Sequence, residues 1–176
     1  MKCRTLALAV LVACGTFSVP PSFAASSGTS AVTLGATANA VLQVLDASFS
    51  LLPTATDYAN DYVEAIGAAG LRVRLKSNSL TGCILYVKCS DASPQIALAD
   101  FLVKTQTAAG IGGSSVTTYT AITASDQALW STGVAQVSFL QVNTDIRLQN
   151  LFAYPDAIAA GTTSYTDNLT YTVVAQ

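Results

Sequence analysis

Apolar residues fall at every second position in several stretches of this chain, and that period of two constrains the fold more than any other feature. "LRVRLKS" sets Leu71, Val73 and Leu75 against Arg72, Arg74 and Lys76. "VSFLQVNTDIRLQ" sets Leu140, Val142, Ile146 and Leu148 against Gln141, Asn143, Asp145, Arg147 and Gln149. Two further stretches, Val32–Val44 and Tyr165–Val173, alternate in the same way. Such alternation makes half-buried β-strands. Polar turns lie between them, at 77–82, 90–94, 108–115 and 153–163. A parallel sheet would need crossover helices of about a dozen residues. Only "TATDYANDYVEAIGAAG" has the length for one, and it reads equally as a short helix capped near Thr56 or as an edge strand. The expected fold is an all-β, antiparallel, immunoglobulin-like sandwich of about seven to nine strands.

The N-terminus reads differently. Lys2 and Arg4 precede an apolar run from Leu6 to Val19, and Ser22-Phe23-Ala24 follows with small residues suited to a signal peptidase. This is the grammar of a secretory signal, expected to span residues 1–24 with cleavage after Ala24. Pro20 and Pro21 would break an uncleaved anchor helix. "LVAC" at 11–14 also resembles a bacterial lipobox, which would make Cys14 the lipidated first residue. Residues 25–176 would then form a single domain, located in the periplasm, at the cell surface or outside the cell. No membrane span is expected after Ala24. The ten acidic residues all lie after Ala24, against six basic ones. That acidic balance disfavours nucleic acid as a partner.

Several chemistries are missing. With no histidine, the chain lacks the commonest general base and the commonest metal ligand. No nucleophile elbow or phosphate-binding loop occurs. Asp57, Asn60, Asp61 and Glu64 would share a face if their segment were helical, and oxygen ligands so grouped suit Ca²⁺. The spacing lacks the glycine turn and closing glutamate of a calcium loop, so a solvated polar face is expected. No cofactor and no enzymatic activity is expected; a hydrolase working through carboxylates alone is the least favoured reading. Trp130, Phe152 and Tyr154 sit near predicted loops. They form an alternative site for stacking on sugars, unless they fill the ends of the core.

The cysteines set period against compartment. Once residues 1–24 are removed, Cys83 and Cys89 are the two that remain. Export favours a disulfide. A straight strand would hold their Cα atoms roughly 20 Å apart, whereas a bridge needs about 4.4–6.8 Å. The expectation is an intrachain bridge on a bent or shortened strand. Two buried thiols on a straight strand, and bridges between subunits, remain open.

Two ends of the chain carry a family likeness. "AVTLGATANAVLQV" resembles the first strand of secreted bacterial β-sandwich subunits of the spore coat protein U type, and "AGTTSYTDNLTYTVV" is similar to their last strand. The likeness implies a chaperone–usher, pilin-like subunit that builds fibres, pili or coats with roles in adhesion. Its implied partners are other copies of itself or related subunits, a periplasmic chaperone and an outer-membrane usher. Two departures stand out: residues 39–45 lack the cysteine common after the first strand, and position 175 is alanine rather than an aromatic residue. Independently of the likeness, a sandwich lacking a strand exposes edges that a neighbour's extended segment can fill. Val32, Leu34, Ala36 and Ala38, with Tyr165, Leu169, Tyr171 and Val173, are the expected subunit-contact positions. The same alternation also describes a domain's own first strand.

Overall fold

The structure, a computed structural model, describes residues 33–106 and 113–176. The expected signal segment 1–24 and Val32 lie outside the described residues. Ala36–Gln176 forms one compact unit. In chain order its elements are β1 (Ala40–Val44), α1 (Ala55–Asn60), β2 (Tyr62–Ala65), β3 (Leu71–Ser77), β4 (Cys83–Cys89) and β5 (Phe101–Gln106). There follow β6 (Ser114–Ser115), β7 (Thr120–Ala121), β8 (Gln127–Thr132), β9 (Gln136–Gln149) and β10 (Leu169–Ala175). Single 3-10 turns occupy Gly67–Ala69 and Leu151–Ala153.

The strands form two antiparallel sheets, as the period of two predicts. One runs β1-β3-β9-β5-β7 with β2 also beside β9; the other runs β10-β4-β8-β6. Alternate residues of the inner strands fill the space between the sheets. On β4, Cys83, Leu85, Val87 and Cys89 are buried while Ile84, Tyr86 and Lys88 are half-buried. The core has two halves. Val73, Leu75, Cys83, Leu85, Leu140 and Val142 pack near the β3–β4 turn. Val87, Cys89, Phe101, Val103, Leu129 and Ile146 pack at the opposite end, near α1. The sandwich thus has a turn end and a helix end.

The segment that read as helix or edge strand is one after the other. Thr54, two residues before the expected cap, caps α1: its hydroxyl accepts from Asp57 N, and the Asp57 carboxylate accepts from Thr54 N (2.7 Å). That reciprocal pair satisfies two orphan donors of the first turn. Asp61 then takes a left-handed conformation (φ 60) and the chain enters β2.

β2 and β3 lie end to end along the same edge of β9, Ala65 opposite Ile146 and Leu71 opposite Thr144. Between them residues 66–70 leave the ladder. Their missing bond is replaced by Asp145, whose Oδ1 accepts from Gly67 N at 2.7 Å. Asp145 is 0% exposed although it sits on the outer face of its strand. Gly70 is required here: a Cβ would stand 2.4 Å from Thr144 O. The β3–β4 turn needs Gly82 more strictly. Its φ is +92, and a Cβ would lie 1.7 Å from Thr132 O.

Three expectations are corrected. The first strand starts at Ala40 rather than Val32; residues 33–39 are exposed and outside any strand. The last strand starts at Leu169, so Tyr165 lies in the preceding loop. The intrachain disulfide is absent: Cys83 and Cys89 are both free and buried. β4 runs straight between them, Cys83 opposite Ala175 and Cys89 opposite Leu169. Six strand steps separate the sulfurs by roughly 20 Å, and the thiols serve as small apolar core groups.

Candidate assembly site

β1 is the edge of one sheet and β10 the edge of the other, and the two lie against one another along one flank. No backbone bond joins them among the described residues. The hydrogen-bond phase of each edge follows from the bonds that flank it. Asn78 N donates to Asn39 O (3.1 Å) and Leu45 N to Arg72 O (3.0 Å). In an antiparallel pair both polar groups of a residue point the same way. The odd residues of β1 therefore face β3, and Ala40, Leu42 and Val44 turn their N–H and C=O to the free edge. On the other sheet Ser90 N donates to Asn168 O (2.9 Å) and Gln176 N to Gly82 O (2.9 Å). Leu169, Tyr171, Val173 and Ala175 therefore face outward.

The same residues carry the inward-facing side chains of their strands. Leu42, Tyr171 and Val173 pack on the turn-end core, and Leu169 and Tyr171 on the helix-end core. They are only half-buried, and Val44 is exposed, whereas their neighbours on β3 and β4 are fully buried. Tyr171 bridges both halves of the core. Burial first of all pushes its phenol up to about 12. Its hydroxyl and that of Thr144 are buried with no partner at ordinary hydrogen-bond geometry, yet they stand close enough for Thr144 to act against burial on the phenol.

Ahead of β1, Asn39 N donates to Asn78 Oδ1 (2.6 Å) and Asn78 Nδ2 to Thr37 O (2.9 Å). Ala36, Ala38, Leu80, Thr81 and Gln176 border a hollow of about 390 Å³ at the turn end. Of the expected contact positions, Leu169, Tyr171 and Val173 thus stand on one edge, and Leu34, Ala36 and Ala38 precede the other. Tyr165 belongs to neither; its hydroxyl donates to Pro155 O (2.9 Å) and its ring meets Tyr154 edge-on at 5.5 Å.

The aromatic alternative is not assembled. Trp130 is 2% exposed, inside the turn-end core, with the Gly113 backbone against its ring. It offers no face to a sugar. Phe152 is 77% exposed and pairs with Tyr58 at 5.5 Å. Tyr154 is half-buried, donating to Asp100 Oδ2 (2.7 Å) and accepting from Ala97 N (3.0 Å). Burial and then Asp100 push its phenol up to about 12. The calcium-like set is dispersed too: Asp57 caps α1 and Glu64 lies on β2.

One cluster was not foreseen. On the outer face of β9, Asp145 stands opposite Lys104 and Arg147 opposite Glu64. Lys104 Nζ is 3.5 Å from Asp145 Oδ2, and Arg147 Nη2 is 2.8 Å from Glu64 Oε2. Tyr119 donates to the same Glu64 oxygen (3.0 Å), and its ring lies under both Lys104 and Arg147. Burial acts to raise the Glu64 carboxyl, but the bonds from Arg147 and Tyr119 outweigh it and hold it below the usual range. Burial, reinforced by Glu64, pushes the Tyr119 phenol well up. With each carboxylate matched to a cation, the cluster fixes the register of β2 and β5 on β9 rather than presenting a base. Alternation does show Asp145 and Arg147 on one face. Their partners depend on register between distant strands, which no local pattern reports.

Comparison with protein-family models, with curated proteins and with solved structures finds no match. Among the described residues no helix is long and apolar enough to cross a membrane.

Proposed function

We propose that the chain is an exported, non-catalytic structural or adhesive subunit that assembles with its own copies or related subunits by strand addition along the β1–β10 flank. One observation carries this reading. On both edges, the residues with unpaired backbone groups are also those whose apolar side chains are only half-covered. A strand laid there gains main-chain bonds and apolar burial together. Residues 32–38 are the donor of choice, with Val32, Leu34, Ala36 and Ala38 facing in. A periplasmic chaperone would shield the flank before an outer-membrane usher passes the subunit on.

The test compares the chain from Ala25 with the chain from Asn39, each with and without a peptide of residues 25–38. Strand addition predicts oligomers of the longer form that withstand detergent without heating. It also predicts that the peptide raises the melting temperature of the shorter form. At a hundredfold excess over its dissociation constant the peptide adds about 2.7 kcal/mol. A longer form that is a stable monomer, together with a shorter form indifferent to the peptide, refutes the reading.

A further inference from the structure

The ionic groups of the sandwich are sorted by end. Six cations lie among the described residues, and four are matched: Arg72 with Asp46, Lys88 with Asp126, Lys104 with Asp145, Arg147 with Glu64. The two others, Arg74 and Lys76, stand side by side on the outer face of β3 toward the turn end. Both lie over the ring of Phe139, at 5.2 and 4.8 Å.

The carboxylates left without an ion pair all lie at the other end. Asp57 and Asp61 flank the last turn of α1, Asp91 follows β4, Asp100 precedes β5, Asp156 follows the second 3-10 turn, and Asp167 precedes β10. The pairing registers, with loop bonds from Tyr154 to Asp100, Gln95 N to Asp167 and Tyr165 to Pro155, put these positions at one end. Tyr62 is opposite Gln149, Gln149 N bonds Asp100 O, and Leu169 is opposite Cys89. Phe139 and Phe152 are thirteen residues apart along and just beyond β9, so the two ends are separated by most of its length.

Each end also exposes large apolar side chains, far more than scattered surface residues would need. The turn end shows Leu80, Val134, Val137 (74%) and Phe139. The helix end shows Leu52, Tyr58, Phe152 and Ile158. A shallow groove of about 240 Å³, lined by Val41, Lys76 and Val137, opens beside Phe139.

We infer that the helix end of one copy docks on the Arg74–Lys76–Phe139 face of the next. The occupant that fits that face is another copy of this chain, because the helix end carries what it lacks: exposed apolar rings with carboxylates that have no cation partner, Asp61 and Asp156 exposed and Asp57, Asp91 and Asp167 half-buried. Opposite potentials guide such a contact and fix its direction, while the apolar groups supply the burial. The two surfaces differ, so the contact is heterologous and propagates as a linear array rather than closing as a twofold dimer. It uses the outer face of β1 and β3 rather than the free edge of β1, and does not require strand addition.

Sedimentation velocity on the full chain tests this, at 25 mM and 500 mM NaCl over a range of concentrations. Three proteins are compared: wild type, R74E/K76E, and N60K/A153K, which adds charge at exposed helix-end positions. Wild type is expected to self-associate reversibly at low salt and to lose most of that association at high salt, where screening shortens to a few ångströms. Each variant alone is expected to associate at least about tenfold more weakly. Mixing the two variants restores association as far as a heterodimer, because the unaltered helix end of R74E/K76E then meets the unaltered turn end of N60K/A153K. Circular dichroism melts confirm that both variants fold. Association that is absent at low salt, unchanged by R74E/K76E, or not restored by mixing overturns the inference. The strand-addition reading stands or falls separately, on detergent-resistant oligomers and on the response to the peptide.

Discussion

Removing the two cysteines distinguishes a bridge from two separate thiols by additivity rather than by size. Cys83 is 0% exposed and Cys89 is 2% exposed, and they sit in different halves of the core. Replacing either by Ala deletes one sulfur, close to a methylene in apolar transfer, and leaves a small cavity. The cost is about 1–2 kcal/mol each. A disulfide closing a seven-residue loop would itself contribute about 2 kcal/mol, so a single variant cannot separate the cases. The double variant can. Sites roughly 20 Å apart with no shared partner add within about 0.5 kcal/mol. Cys83→Ala with Cys89→Ala is therefore expected to cost about 2–4 kcal/mol, the sum of the singles. If one bridge were present, the first substitution would already break it and the second would add far less. Urea unfolding of wild type, both singles and the double measures this directly. Two thiols in the chain from Ala25, under non-reducing, denaturing conditions, provide the chemical control. A double variant no less stable than the worse single would refute the straight-strand argument.

Further expectations concern groups whose environments are equally well defined. Thr144→Val removes a buried hydroxyl whose neighbour is the equally buried hydroxyl of Tyr171, with no ordinary hydrogen bond to either, so it is expected to change stability by less than about 1 kcal/mol in urea melts, below the usual cost of a core substitution. Gly82→Ala meets both a positive φ and the Thr132 carbonyl, and is expected to cost more than about 3 kcal/mol or to prevent folding, whereas Gly133→Ala, with open space around it, changes stability far less. The Asp46 carboxyl is held below its ordinary value by the Arg72 guanidinium, and Asp91 by the Asn168 side chain. Stability from such carboxylates is present above their unfolded value near 4 and lost as pH falls through the folded values. Tyr154 and Tyr171 are displaced the other way by burial, to about 12, so their contribution is present below about 10 and lost as pH rises toward 12. A melting-temperature profile should therefore be flat between pH 5 and 8, where there is no histidine to titrate, and fall on both sides; a step near pH 6.5 would contradict it.

Alternation located β3, β4 and the second half of β9 because one face of each is sealed by the opposing sheet. Val73, Leu75, Leu85, Val142 and Ile146 are the buried half of a pattern visible in the letters alone. The pattern overreached where the same letters lie outside a ladder. Leu34, Ala36 and Ala38 alternate as well as Leu42, yet only Leu42 has a strand beside it. Tyr165 keeps the period of β10 but turns aside to Pro155 and Tyr154. The cysteines show the converse. Their spacing already made a bridge incompatible with a straight strand, and the even count of thiols argued the other way. Trp130 was placed near a loop by its sequence neighbours, but the inward face of β8 decides its position. What stayed illegible depends on which strands are neighbours: the Lys104–Asp145 and Glu64–Arg147 pairs, and the sorting of unmatched charge to opposite ends.

A period of two fixes which side chains share a face, and is silent on which backbone groups are bonded. Along β1 and β10 those two periodicities coincide, since the residues facing the core are also those with free N–H and C=O groups. Directly opposed residues in a ladder share a face. A strand added at either edge must therefore place its own inward residues opposite Leu42 or opposite Tyr171 and Val173, and a slip of one residue would turn its whole apolar set to solvent. This makes the donor assignment specific to single positions. Leu34→Lys would put an ammonium into the half-covered core, at about 3 kcal/mol or roughly a hundredfold in affinity. Thr33→Lys would put the same charge on the outer face, at little cost. Detergent-resistant oligomers should disappear in the first variant and persist in the second. Equal behaviour of the two variants would show that residues 33 and 34 do not enter the flank as a strand in this register.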